Sequence, residues 1–224
     1  MSRPALEPRA ASRYASVVLD VDSTLCAIEG IDWLATRRGA EVAALVRGIT
    51  DRAMAGEIAL DDVYGERLAA VHPSADDIAA LAAAYEAALL PDAAGTIAQF
   101  HDAGVRVVLV SGGLREAILP VAERVGVAPA DVHAVGVRHD ASGAFAGYDV
   151  ASPLTRQDGK RDVVAGLHLP RPTLAVGDGA TDLAMRGAVD AMAAFTAVVR
   201  RGPVVRGADM EITSYRQLAE LVLG

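Results

Sequence analysis

Two aspartates, Asp20 and Asp22, close an apolar run in the stretch "VVLDVDSTL" at residues 17–25. On a continuing strand they would point to one side, where like charges repel unless a cation or a shared proton lies between them. The alternative is a strand end followed by a polar turn, which Asp, Ser and Thr favour. Two further clusters share the setting: "SGG" at 111–113 follows the apolar run 105–110, and "GDGATD" at 177–182 follows 173–176. Asp20, Asp22 and Asp178 offer carboxylate oxygens, the ligands that a hard cation such as Mg2+ takes. Ser111 with Gly112 and Gly113 offers a hydroxyl and exposed N–H groups ahead of a helix starting near Leu114, which makes an anion site. Of 21 basic residues, 20 are arginine and only Lys160 is lysine. A compact ammonium in place of a planar fork marks that position. A cation, backbone donors and an ammonium converging on carboxylates describe phosphoryl transfer. One carboxylate then serves as nucleophile, and a second protonates the leaving oxygen and activates water.

These clusters meet only if the elements bring them to one edge. Short apolar runs at 16–19, 105–110, 173–176 and 191–195, alternating with helical segments, predict an α/β fold with a doubly wound parallel sheet. In such sheets ligands sit beyond the carboxyl ends of the strands. More than eighty residues separate the first two runs, far beyond a normal crossover. Part of that stretch is a return helix in "PDAAGTIAQFHDAG", starting after Pro91 and stopping at Gly104. The rest, 27–90, is helical and amphipathic, with one helix opened by Ser74 and Asp77 in a capping-box arrangement. It is expected to form an inserted helical cap with Ile31, Leu34, Met54 and Leu68 as its core and Trp33 in core or rim. Residues 1–26 and 91–224 form the core domain on this reading. The stretch "HAVGVRHDASGAFAGYDV" alternates around a turn at 140–143 and predicts a β-hairpin flap.

Bulk properties narrow the partners. The chain has 224 residues, 52% of them hydrophobic, so it can bury a full core. A formal charge of −8 with no dense basic block argues against nucleic acid, since phosphate backbones need clustered Lys and Arg. No apolar run reaches transmembrane length, so no membrane partner is expected. The start has no continuous apolar segment, and a cytoplasmic chain with a frayed N-terminal arm is expected. The lone Cys26 suits a reducing compartment and a buried apolar role. The five histidines lack ligand spacing, so zinc is not expected. Arg200, Arg201 and Arg206 read as a solvated face and receive no role.

"DVDSTL", "SGG", Lys160 and "GDGATD" together resemble, in order and spacing, the four motifs of the haloacid dehalogenase superfamily of phosphatases. Within it the chain is most similar to the phosphoserine phosphatase family. Beyond the shared motif, "DVDSTLCAIEGIDWLA" extends that similarity, as do "AMAG" and "ERL" in the cap and "GAFAGYD" in the flap. The resemblance implies a Rossmann-like core and Mg2+-dependent hydrolysis of a small phosphomonoester, O-phospho-L-serine, through an aspartyl-phosphate. It implies that Asp20 is the nucleophile and that Asp22 is the general acid/base, whose carbonyl also faces the metal. Ser111, Gly112 and Lys160 would hold the phosphoryl group. Asp178 would bind Mg2+, and Asp182 would support that site or its water shell. Glu29 would meet the substrate ammonium and Arg67 its carboxylate, with Arg52 as a weaker substitute; Thr181 would help bind product or water. Each has an alternative: Glu29 and Arg67 as surface charges, Asp182 as a helix-dipole partner, Thr181 as a cap. The chain departs from the family pattern at "HAVGVR" before the flap and at "FTAVV" at the end of the run 191–195, both near the expected site mouth.

The sequence leaves two rival readings. A receiver-like phospho-Asp signalling domain uses a similar set of residues, but it lacks the second carboxylate and the helical insertion. A phosphotransferase or broader small-metabolite phosphatase of the same fold is the enzymatic rival. A monomer or homodimer is the expected assembly.

Overall fold

Ser16–Leu19 forms strand β1, and all four residues are buried, because neighbouring strands cover its edges and helices cover both faces. It pairs in parallel with β2 (Arg106–Leu114) on one side and β6 (Thr173–Gly177) on the other. Strands β3 (Val132–Val135), β7 (Ala191–Phe195) and β8 (Met210–Ile212) complete a six-stranded parallel sheet in the order β3-β2-β1-β6-β7-β8. The chain runs outward from β1 through β2 and β3, then returns to start again at β6. The reversal falls between β1 and β6, where a doubly wound sheet opens its crevice. In this computed structural model residues 12–54 and 60–224 are described, with side chains described outside 51–62. Residues 1–11 of the N-terminal arm, the side chains of Arg52 and Met54, and residues 55–56 of "AMAG" therefore lie outside what is described. The end of the arm is docked rather than frayed: Arg13 N–H donates to Val222 O at 2.8 Å and Tyr14 is buried.

The insertion contributes helices α1 (Gly30–Arg37), α2 (Ala40–Met54), α3 (Leu60–Val71) and α4 (Ala75–Ala87). The first three pack on one another, with Ile31, Leu34 and Leu68 buried as expected. Trp33 sits half-buried on the rim with the Arg37 guanidinium 4.9 Å over its ring. The Ser74–Asp77 capping box opens α4. Helix α4 lies against α6 (Arg115–Arg124), a helix of the sheet layer. A backbone clamp joins the two ends of the insertion: Ala27 N–H donates to Ala88 O at 2.8 Å, and Leu90 N–H donates to Leu25 O at 3.1 Å.

The return helix α5 (Ala93–Asp102) ends at Gly104, whose φ of 78° is the left-handed value that stops a helix. Two expectations change. First, β2 continues through Ser111, Gly112 and Gly113 as extended chain with a register shift, rather than ending at Val110. Second, residues 133–135 belong to the main sheet, not to the flap. Val132 and Val135 are buried against β2, and the hairpin comprises only β4 (Val137–His139) and β5 (Phe145–Tyr148). Its turn is as expected: the Asp140 carboxylate accepts from the N–H groups of Ser142 and Ala144. The hairpin buttresses the cap. The tilted rings of Tyr148 and Tyr64 lie 5.3 Å apart, Phe145 lies 5.7 Å from His72, and Gly143 O accepts from Ala75 N–H at 2.9 Å.

Leu19, Leu109, Phe100, Phe195 and Tyr215 are fully buried in the main core, and such side chains each contribute roughly 1.5–3 kcal/mol on burial. Among the described residues no helix is long and apolar enough to cross a membrane.

Candidate active site

Three strand ends deliver the chemistry. At the end of β1, Asp20 keeps its N–H in the ladder, donating to Val176 O of β6 at 3.1 Å. The chain then folds tightly: Leu25 and Cys26 both donate to Val21 O at 2.9 Å, and Ser23 takes a left-handed φ of 52°. This turn separates the two carboxylates. Asp20 faces Lys160, whereas Asp22 Oδ1 accepts from Gly30 N–H and from the Tyr85 hydroxyl, each at 2.8 Å. In the carboxyl-terminal half of β2 the buried Ser111 Oγ accepts from Gly113 N–H at 3.0 Å. At the end of β6 come Asp178 and, in the first turn of α8 (Ala180–Ala184), Asp182. A Cβ at Gly177 would overlap the Asp182 carboxyl, so glycine there is what lets that group turn inward. Asp182 Oδ2 accepts from Gly179 N–H at 2.9 Å, and Oδ1 lies 2.6 Å from Lys160 Nζ.

Lys160 enters from the first turn of α7 (Gly159–Gly166), almost fully buried, with Nζ 2.7 Å from Asp20 Oδ1. Burial disfavours its charge, but Asp182 and Asp20 outweigh that and hold its pKa above the usual lysine value. Burial, then the nearby Asp182, raises the Asp20 carboxyl well above its ordinary range, against the pull of Lys160. Burial and the charge of Glu29 push Asp22 up to about 6, although the Tyr85 and Gly30 hydrogen bonds favour its ionised form. Two adjacent carboxyls thus have distinct surroundings, as a nucleophile and an acid/base partner require.

Oxygens of Asp20, Asp178 and Asp182 lie within 4.8 Å of one another. Asp20 Oδ1 and Asp178 Oδ2 are buried without a hydrogen bond, and the cations Lys160 and Arg201 press against them as ion pairs. Buried hard oxygens that draw cations suit a divalent ion of the Mg2+ or Ca2+ class. The Asp22 carboxyl stands outside this group.

A cleft of about 690 Å³ runs between sheet edge and cap, lined among others by Asp20, Asp22, Glu29, Arg67, Gly112, Lys160, Asp178, Thr181 and Asp182. Ser111 and Gly113 are off this lining; the Ser111 hydroxyl is turned toward Gly113. Glu29 is half-buried: its Oε1 accepts from Ser23 Oγ at 2.8 Å and lies 3.4 Å from Arg201 Nη2. Arg67 Nη2 pairs with Asp32 Oδ2 at 2.5 Å, while its Nε is buried without a hydrogen bond. Helix α8 is capped at Gly179, so Thr181 stands in the first turn on the cleft wall and is not the cap.

Sequence reasoning missed two residues here. Arg201 does not lie on a solvated face; it reaches Asp178 and Glu29, whereas its neighbour Arg200 pairs with Glu211 outside the cleft. The signal was positional: Arg201 follows β7, whose carboxyl end opens on the same edge as the other clusters. Tyr85 was passed over in an alanine-rich helix, although a buried tyrosine hydroxyl needs a partner.

Residues 14–190 match the family model described as haloacid dehalogenase-like hydrolase. A phosphoserine phosphatase of Rattus norvegicus is 34% identical over 207 residues, 91% of each chain. A phosphoserine phosphatase of Halobacterium salinarum is 38% identical over 174 residues, 75% of this chain and 80% of that one. The crystal structure of a phosphoserine phosphohydrolase-like protein from Francisella tularensis covers 92% of this chain and 98% of its own. Its TM-score is 0.81 at 23% identity, a likeness of fold.

Proposed function

The chain belongs to the haloacid dehalogenase-like hydrolases, and we propose that it hydrolyses O-phospho-L-serine to L-serine and phosphate with Mg2+ as cofactor. One observation carries the substrate: the Asp20–Asp22 pair and two cap charges of opposite sign, Glu29 and Arg67, line one cleft. A phosphomonoester that also bears an ammonium and a carboxylate matches that set of charges. The phosphoserine phosphatases similar to this chain support the same choice.

In the proposed reaction Asp20 attacks phosphorus, the bond to the serine oxygen breaks, and Asp22 gives that oxygen its proton. Asp22 then takes a proton from water, which attacks the aspartyl-phosphate, releases phosphate and restores Asp20. Lys160, the Ser111 hydroxyl and Gly112 N–H hold the phosphoryl oxygens. Asp20, Asp178 and Asp182, with the Asp22 carbonyl, would hold a divalent cation, which would supply charge neutralisation at the transferring group. Glu29 exchanges Ser23 and Arg201 for the substrate ammonium, Arg67 exchanges Asp32 for the substrate carboxylate, and Thr181 meets product or water. The cap comprises 27–90, and the core comprises 1–26 and 91–224. The buried Cys26 and the absence of a charge block for nucleic acid fit a cytoplasmic enzyme of small metabolites.

The test is phosphate release from phosphoserine, phosphothreonine, phosphoethanolamine, glycerol phosphate and p-nitrophenyl phosphate, with and without Mg2+. Metal-dependent preference for phosphoserine over phosphoethanolamine is expected. Equal rates on those two would leave a general phosphatase. Phosphate passed mainly to an added alcohol would make it a phosphotransferase.

A further inference from the structure

Tyr85 is fully buried in α4, and its hydroxyl donates to Asp22 Oδ1 at 2.8 Å, beside a second donor, Gly30 N–H, at the same distance. Two donors therefore occupy one carboxyl oxygen. The other, Oδ2, lies toward the end of β2, where a Cβ added to Gly113 would stand 3.1 Å from it and 3.2 Å from Ser111 Oγ. That is the side on which the phosphoryl group is held. Gly30 is matched to the arrangement, since a Cβ there would overlap the tyrosine hydroxyl. Tyr85 is also firmly seated, because α4 packs on α6 and the backbone clamp at Ala88 and Leu90 follows within a turn.

We propose that Tyr85 is a positioning residue for proton transfer: it pins Oδ1 of Asp22 from the insertion, so that Oδ2 faces the ester oxygen. The proposal rests on Asp22 as acid/base. It adds that the orientation of that carboxyl is set by the two ends of the inserted segment, Gly30 at its start and Tyr85 near its close. A carboxyl held by Gly30 N–H alone rotates more freely, and misplacement of a catalytic group by about 1 Å can cost on the order of a hundredfold.

The test compares kcat/KM for phosphoserine, whose alkoxide leaving group must be protonated, with kcat/KM for p-nitrophenyl phosphate, whose phenolate leaves without a proton. Tyr85→Phe is expected to lose about ten- to a hundredfold on phosphoserine and less than about threefold on p-nitrophenyl phosphate. Asp22→Asn should show the same split, only larger. If Asp22→Asn depresses both substrates alike, the acid/base reading fails. If Asp22→Asn splits them and Tyr85→Phe does not, Tyr85 only packs and the proposal falls. Gly30→Ala would crowd the same hydroxyl and should reproduce the Tyr85→Phe split in folded enzyme; equal losses on both substrates would count against the proposal.

Discussion

Replacing Lys160 should separate charge from shape at the centre of the cleft. Its Nζ stands 2.7 Å from Asp20 and 2.6 Å from Asp182, and the lysine is 4% exposed. Lys160→Met keeps the length of the side chain and removes the ammonium, leaving carboxylates buried with one cation fewer. Breaking a buried pair in this way costs about 3–5 kcal/mol, most of it the penalty of an uncompensated charge. Added Mg2+ should restore much of that loss, because the ion would compensate the same oxygens. Catalysis loses something the metal does not replace: a charge-assisted contact to the phosphoryl oxygens, about 1.5–3 kcal/mol, or roughly ten- to a few hundredfold in kcat/KM.

Lys160→Arg keeps the charge but must fit a wider head group between Asp20 and Asp182. A Cβ at Gly159 would overlap the Pro153 carbonyl oxygen, so the start of α7 is pressed onto the 153–155 turn and cannot withdraw to admit a wider head group. Overpacking of this kind costs about 1–3 kcal/mol, and a guanidinium places its donors differently from an ammonium. Steady-state phosphate release with p-nitrophenyl phosphate, alongside melting curves with and without Mg2+, would read both effects. At least about tenfold lower kcat/KM is expected for Lys160→Arg. Kinetics within about twofold of the parent would refute the reasoning and leave the single lysine without significance.

Arg67→Ala should lower kcat/KM for phosphoserine by roughly tenfold to several hundredfold and scarcely change p-nitrophenyl phosphate hydrolysis; equal losses would make Arg67 structural. Arg201→Met removes the guanidinium that competes for Asp178, so Mg2+ titrated calorimetrically into the protein should bind about three- to tenfold more tightly; weaker binding would refute the competition. Burial opposes the charge on Asp77, but hydrogen bonds from Ser74 and Arg38 outweigh it and keep its pKa below the usual carboxylate value. Its contribution is therefore full above about pH 4 and disappears as pH falls through the lower folded value. Asp77→Ala should cost about 1–2 kcal/mol at neutral pH, and melts at about pH 3 should show the gap narrowed; an unchanged gap would remove the charge from the account.

The sheet was legible because strands buried on both faces must be short apolar runs, and each one near the site ends in a polar or glycine-rich turn. Ser16–Leu19 and Ala191–Phe195 coincide with their strands to the residue. β8 escaped because it is three residues long and carries Glu211 in its middle. Residues 133–135 were assigned to the flap because an edge strand alternates just as a hairpin does, and only Gly136 marks the break between them. Asp182, inside α8, was singled out only through the family resemblance, whereas Asp20, Asp22, Asp178 and Lys160 were legible from the residues themselves. Charges placed directly after buried strands, and a single lysine among arginines, are expensive or improbable arrangements that ordinary packing does not call for.

Tyr85 and Arg201 were illegible because their types have a cheaper explanation nearby: packing in an apolar helix, or solvation among other arginines. Only distance removes that explanation, and distance depends on how the insertion is seated. Here its seating reaches past Glu29 and Arg67 to the Asp22 carboxyl itself, through Gly30 N–H and the Tyr85 hydroxyl. An insertion that merely roofed the cleft could be exchanged at the cost of specificity alone. On the proposed roles, exchanging one that holds Asp22 from both of its ends should also alter proton transfer, which would join substrate choice and chemistry at the same carboxyl.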